Sequence, residues 1–313
     1  MGPDPRVEIA LATWHGAAHL GSQLASLERQ TVQDFRLVVR DDGSGDGTVP
    51  LLRAWIARRA RGDLLIEDGR GRLGIIGNFS AALSATRAPV VFLCDQDDVW
   101  DPDKIERTLA AMAQAQARHG PQAPLLVHGD ARMVAADGRP LHPSFAASMG
   151  LDLAHGGELR RLLLRNAVTG CTVAVNRELL SLALPVPAAA IMHDWWLGLV
   201  AAGCGHVVAM PGACLDYRQH AGNALGAASG RLWHLLRRYA SPGAIRSRFA
   251  RISAQAEALA ERCGARLPAA DLSAVSELAR LPRYGWWARR GVLIRHRLRL
   301  PGLGRRLAAW LLM

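Results

Sequence analysis

Three features of the sequence predict an α/β fold on a mostly parallel central sheet. Short apolar runs rich in β-branched residues alternate with segments of helical periodicity through residues 7–116. The runs end in acidic or glycine-rich loops, and open parallel sheets bind ligands beyond the carboxyl ends of their strands. A composition that is 50% hydrophobic over 313 residues allows one large domain with a sizeable core and a smaller appendage.

Val7–Thr13 alternates and then runs apolar, which predicts the first strand. Trp14-His15-Gly16 breaks it, and Leu20, Leu24 and Leu27 recur at helical spacing behind the break. Phe35–Arg40 predicts the second strand. It runs into Asp41-Asp42-Gly43-Ser44-Gly45-Asp46-Gly47-Thr48, where small residues admit a ligand close to the backbone and acids accept from base or ribose hydroxyls. A plain surface turn is the other reading of that loop. A helix is expected over Val49–Arg59, a short strand over Leu64–Glu67, a glycine- and arginine-rich loop over Gly69–Gly77 and a helix over Asn78–Thr86.

Val90–Leu93 reads as a buried strand ending in Asp95-Gln96-Asp97-Asp98, ahead of Val99, Trp100, Asp101 and Pro102. Clustered carboxylates repel unless solvated, paired or bound to a hard divalent ion such as Mg²⁺ or Mn²⁺, which takes oxygen ligands and bridges phosphates. The alternative is an acidic cap for a helix over Asp103–Gln116, a role that Asp101 alone would fill. Thr13, Asp42 and Asp95–Asp98 all fall at strand ends, so three loops converge on one expected site.

Leu125–Ala131 predicts a further strand and Val134–Gly138 a turn. Arg165–Asn176 joins a loop to a strand ahead of a helix over Arg177–Ala183, where Gly170 alone reads equally as a tight turn. Met192-His193-Asp194-Trp195-Trp196 opens an apolar helix over Leu197–Ala202. There the acid could be only a cap for the helix, and an adjacent tryptophan pair is weak evidence of a site by itself.

The five cysteines are scattered without paired ligand spacing, which argues against a disulfide framework or a zinc site and for a reducing compartment. No signal peptide or membrane-spanning run is expected. The net charge of +11 sits in the tail: residues 231–313 carry 17 Arg against 4 acids, and the first 230 residues are close to neutral. A near-neutral body without a helix-turn-helix, zinc or aromatic RNA-binding signature disfavours nucleic acid as a partner.

The first strand ending at Thr13, the loop Asp41–Thr48, Gly77-Asn78-Phe79 and Asp95-Gln96-Asp97-Asp98-Val99-Trp100 together resemble the inverting nucleotide-sugar glycosyltransferases of family 2, which have the GT-A fold. Asp95–Trp100 with His193–Trp196 is similar to the rhamnosyltransferases that build bacterial surface polysaccharides. The resemblance covers residues 7 to about 220 and departs at Trp14-His15-Gly16, where the family usually has an Asn-Gly pair after an aromatic. It implies a catalytic domain over 1–230, with Thr13, Asp42, Asn78, Asp95 and Gln96 on the nucleotide. It implies Mg²⁺ or Mn²⁺ at Asp95, Asp97, Asp98 and His220, Asp194 as general base, and His193 orienting it or contacting phosphate. Gly170, Cys171, His193, Trp195 and Trp196 would face the acceptor, a saccharide or lipid-linked sugar, and the donor favoured is dTDP-rhamnose. An inactive sugar-nucleotide-binding relative is disfavoured by the presence of both the acid cluster and Asp194. A nucleotidyl- or phosphotransferase is disfavoured by the absence of a Walker lysine or kinase motif.

Residues 231–313 predict an Arg-rich helical extension, from Leu232–Tyr239 through Ile245–Arg262 to Trp286-Trp287 and Trp310. Basic faces with interfacial tryptophans suit peripheral contact with an anionic membrane at the cytoplasmic face, and a helical subdomain packed on the body is the alternative.

Overall fold

A computed structural model describes residues 6–59, 61–220 and 242–298. The strands are β1 Val7–Thr13, β2 Phe35–Asp41, β3 Leu64–Ile66, β4 Val90–Asp95, β5 Val99–Trp100, β6 Leu125–Ala135, β7 Pro140–His142, β8 Ala174–Asn176 and β9 His206–Gln219. They form a mixed nine-stranded sheet in the order β3-β2-β1-β4-β8-β6-β9-β5, with β7 on β6. The β3-β2-β1-β4 half is parallel, β8 runs antiparallel between β4 and β6, and β6 and β9 are parallel. Register sets Thr13 against Asp41 and Ala12 against Asp95, so those acids emerge along one edge.

The helices are α1 Ala17–Glu28, α2 Thr48–Arg59, α3 Gly74–Ser84, α4 Lys104–His119, α5 Phe145–Met149, α6 Leu153–Gly156, α7 Leu159–Leu162, α8 Arg177–Ala183, α9 His193–Cys204, α10 Pro242–Cys263, α11 Ala269–Ala279 and α12 Trp286–Arg295. Strand alternation divides the core between the two faces of the sheet. Ile9, Leu11 and Phe92 meet Leu20, Leu24 and Trp100 on one face. Ala10, Val91 and Leu93 meet Phe79, Trp196 and Val200 on the other. Each large apolar side chain so buried contributes roughly 1.5–3 kcal/mol.

Several boundaries differ from expectation for identifiable reasons. α3 starts at Gly74, ahead of Asn78, because the Asp42 carboxylate accepts from Leu73 N (2.6 Å) and Gly74 N (2.8 Å) at its first turn. Asp101 does not cap α4: Arg132 takes its carboxylate, and Asp103 stands at the cap without a side-chain capping bond, its carboxylate turned to Arg107. β6 absorbs Val134 and Ala135 because β9 pairs with it as far as Gln219. β9 is not legible in the sequence, since Pro211-Gly212 interrupts its pattern. α9 begins at His193, four residues before Leu197, so the His-Asp-Trp-Trp run is its first turn.

The described part of the C-terminal extension packs on the body. Phe249 and Ile252 of α10, Val275 and Leu278 of α11, and Val292 and Leu293 of α12 share one apolar cluster with Leu199 and Val200 of α9. Arg290 is buried there, with its guanidinium 3.1 Å over the Trp286 ring. The boundary expected after residue 230, the segment Leu232–Tyr239, and Arg299, Arg305, Arg306 and Trp310 lie outside the described residues. No helix among the described residues is long and apolar enough to cross a membrane.

Candidate active site

At the ends of β1 and β2, Thr13 Oγ1 donates to Asp41 Oδ2 (2.8 Å), and Asp41 Oδ1 accepts from Ser44 N (2.7 Å). Asn78 Nδ2 donates to Thr13 O (3.2 Å), while Arg40 Nη1 donates to both Asn78 Oδ1 and Asp42 Oδ1 at 2.9 Å. Thr13, Asp42 and Asn78 are therefore brought together. Both Asp42 oxygens are engaged within the protein. Buried Arg40 also binds Asp68 and Gly71 O, tying the 68–74 loop to the sheet. By strand propensity Arg40 is an ordinary strand residue, although a cation inside an apolar run is a signal that it must find acids.

Gln96 Oε1 accepts from Trp14 N (2.8 Å) and its Nε2 donates to Trp14 O (2.9 Å), so the amide clamps the first loop. The departure at Trp14-His15-Gly16 leaves that loop well bonded. His15, at φ 49°, donates from its backbone N–H to Ser44 Oγ (2.8 Å), Gly16 N to Thr48 Oγ1 (2.9 Å) and Ala17 N to Asp46 Oδ2 (3.1 Å). A Cβ on Gly16 would stand 2.3 Å from Gln96 Oε1, so glycine is what lets the clamp close.

The acids after β4 divide into two groups. Asp97 Oδ2 lies 2.7 Å from His220 Nε2, whose ring stacks on His19 at 4.6 Å. Asp95, Asp98 and the Cys171 thiol form the second group, their donor atoms within 4.8 Å of one another. Asp98 accepts weakly from Arg218 N (3.4 Å), and its Oδ2 has no hydrogen-bond partner among the described residues. Burial, then the charge of Asp97, pushes the Asp98 carboxyl up to about 7. Burial and then the Asp98 charge push Asp95 up as well. Carboxylates pushed up by burial and by one another, with an imidazole beside them, fit a hard divalent ion at Asp97 and His220 with Asp95 and Asp98 behind it. The thiol is a soft donor and suits Mg²⁺ poorly.

Asp194 lies in the first turn of α9, buried, where Oδ2 accepts from Gly170 N (3.0 Å) and Oδ1 from Trp195 N (2.6 Å). Burial outweighs these bonds and one from Asn166, raising its carboxyl to about 6. The 3₁₀ turn Gly170–Thr172 joins the two regions, since Gly170 holds Asp194 while Cys171 sits with Asp95 and Asp98. The charge of Asp194 also raises Asp95. His193 stacks on Phe79 at 3.9 Å, and burial drops its imidazole to about 3, so it is neutral. Neither of its ring nitrogens has a partner among the described residues.

The expectation that Trp195 and Trp196 face an acceptor is corrected. Both indoles are buried in the apolar cluster, and their N–H groups donate to Leu162 O (2.6 Å) and Ala183 O (2.9 Å). Starting the helix at His193 turns these side chains inward.

Residues 9–119 match the family described as glycosyl transferase family 2. An uncharacterized glycosyltransferase of Nostoc sp. is 28% identical over 105 residues, 33% of this chain and 31% of that protein. The validoxylamine A glucosyltransferase of Streptomyces hygroscopicus subsp. jinggangensis is 32% identical over 111 residues, 35% of this chain and 26% of that protein. The chain thus matches about a third or less of the length of these relatives. Among solved structures, residues 1–349 of TarS from S. aureus, in complex with UDP, superpose with a TM-score of 0.53 at 15% identity, covering 89% of this chain and 92% of that one. A mannosyltransferase from Pyrobaculum calidifontis, in complex with GDP-Man and Mn²⁺, gives 0.53 at 18% identity, covering 95% and 87%. The fold is GT-A, with added C-terminal helices.

Proposed function

We propose that this chain, which carries a family 2 glycosyltransferase domain, transfers a sugar from a nucleotide donor to an acceptor hydroxyl with inversion. The observation that carries the reading is the turn Gly170–Thr172, which sets a proton acceptor, Asp194, beside an acid-rich strand end suited to a divalent ion. The UDP and the GDP-Man with Mn²⁺ in the two structures of like fold support a nucleotide-sugar donor. Asp97 and His220 would hold Mg²⁺ or Mn²⁺, with Asp95 and Asp98 behind them; bound there, the ion supplies charge to offset that developing on a diphosphate leaving group.

Asp194, held by two backbone N–H groups, removes the proton from the acceptor hydroxyl as that oxygen attacks the anomeric carbon. The bond from that carbon to the diphosphate breaks on the opposite side, and its electron pair leaves with the nucleotide. A carboxyl near 6 is ionised at neutral pH and basic enough to accept the proton. Thr13, Asn78 and the 41–48 loop form the floor on which the nucleoside rests. The resemblance of Asp95–Trp100 and His193–Trp196 to rhamnosyltransferases favours dTDP-rhamnose, a lipid-linked acceptor in surface polysaccharide synthesis, and work at the cytoplasmic membrane face.

A thermal-shift panel of sugar nucleotides with Mn²⁺, followed by transfer assays with the best donor, tests the reading. A donor that binds the native state raises its apparent stability by mass action. No shift with any sugar nucleotide contradicts it.

A further inference from the structure

Lys104 is the only lysine of the chain, and every other basic residue apart from histidine is arginine. It is the first residue of α4 and completely buried. Its Nζ donates to Cys171 O at 2.6 Å and stands 3.4 Å from the centroid of the Trp100 ring. Among the described residues, no carboxylate lies within ion-pair distance of it. Its positive charge nevertheless acts on both Asp95 and Asp98. A buried ammonium without compensating charge costs several kcal/mol, and what it meets directly is the Cys171 carbonyl and the Trp100 ring face. A compact ammonium fits between a ring face and a carbonyl where a planar guanidinium, with its fork of five donors, does not.

The carbonyl it grips belongs to the turn that links the two halves of the site. Cys171 O is held by Lys104, the Cys171 thiol lies beside Asp95 and Asp98, and the preceding Gly170 N–H holds Asp194. One ammonium thus touches the turn that orients the base and balances the acids that face the metal position. We propose that Lys104 is a fixed internal cation and a positioning residue. It sets the separation of Asp194 from the acid end by anchoring the turn, and it stands as resident countercharge to Asp95 and Asp98. The proposal rests on the assignment of Asp97 and His220 to the metal and of Asp194 to the base.

Two consequences run in opposite directions, which separates this role from simple packing. Removing the cation frees the turn and slows turnover. It also removes a positive charge that competes with a divalent ion, so the ion binds more tightly. A general loss of structure would weaken both.

The test compares the full-length protein with Lys104→Met, which keeps length and apolar bulk. Hydrogen exchange at the Gly170 amide is expected to accelerate by about tenfold or more relative to the amides of β1, as expected when a local opening is eased. Mn²⁺ affinity, by titration calorimetry without donor, is expected to rise on the order of tenfold, while kcat falls. Unchanged protection of Gly170 overturns the anchoring role, and equal or weaker Mn²⁺ binding overturns the countercharge role. If the wild-type protein binds no Mn²⁺, the metal assignment fails instead, and exchange at Gly170 alone decides for or against Lys104. If Lys104→Met does not fold, Lys104→Met/Asp98→Asn is expected to restore soluble, folded protein, because it removes the charge left uncompensated. Failure of that double variant to fold better than the single one overturns the proposal.

Discussion

His220 Nε2 and Asp97 Oδ2, 123 residues apart in sequence, lie 2.7 Å apart at the carboxyl end of the sheet. A carboxylate oxygen and an imidazole nitrogen this close form a pair of donors that a divalent ion could take up together, in place of their bond to each other. His220→Ala and Asp97→Ala are each expected to lower Mn²⁺ affinity by more than roughly 10–100-fold, the loss seen when a group merely supporting a ligand is removed. Calorimetry checks this, and wild-type activity in excess chelator would remove the metal from the account.

The Gln96 clamp gives a second expectation. Gly16→Ala places a methyl group against the Gln96 amide, which can only swing away and release both bonds to Trp14. The expected cost is about 1–3 kcal/mol of stability, together with weaker donor binding as the first loop loosens. Denaturant unfolding and donor titration measure both, and a variant equal to wild type in each would show that the clamp is dispensable.

Much of this site is legible in the sequence because strand ends announce themselves. The apolar runs before Thr13, Asp41 and Asp95 identify three parallel strands, and their register alone brings the loops together. Long-range competition is not legible in the same way. Asp101 looks like a helix cap until Arg132 claims it from another strand. The His193–Trp196 run looks like a site lining, although burial of all four residues leaves no polar face to mark where α9 begins. Arg40 is marked locally as a cation in an apolar run and Lys104 is not, but the partners of both are supplied by distant loops.

The carboxyl of Asp194 gives the acidic limb of the pH profile. As a base it is competent when ionised, so turnover at saturating donor is expected to fall as pH drops through about 6. A hydrogen bond from Asn166 favours the ionised form, so Asn166→Ala is expected to move that limb to higher pH. A limb that stays in place, or moves to lower pH, would assign it to another group.

On α12, Trp287 is 75% and Ile294 67% exposed; Arg283 and Arg297 are exposed beyond its two ends, while Arg295 pairs with Glu277. Basic residues close to an anionic surface contribute about 1 kcal/mol each, and an exposed indole suits the headgroup layer. The full-length protein is expected to co-sediment with phosphatidylserine-containing vesicles at low salt and to be released at high salt. Trp287→Ala/Ile294→Ala should weaken sedimentation and leave donor binding intact. Equal sedimentation of the double variant would move membrane contact away from this helix.

The central claim is that Asp194 takes the acceptor proton, and turnover of Asp194→Asn with donor and acceptor both saturating tests it most directly. The amide keeps the size of the side chain and an oxygen for Gly170 N–H but cannot accept a proton. Donor and Mn²⁺ affinity should survive while turnover falls by roughly 10²–10⁴. Turnover within a few-fold of wild type, with the donor still bound, would contradict the assignment and with it the mechanism.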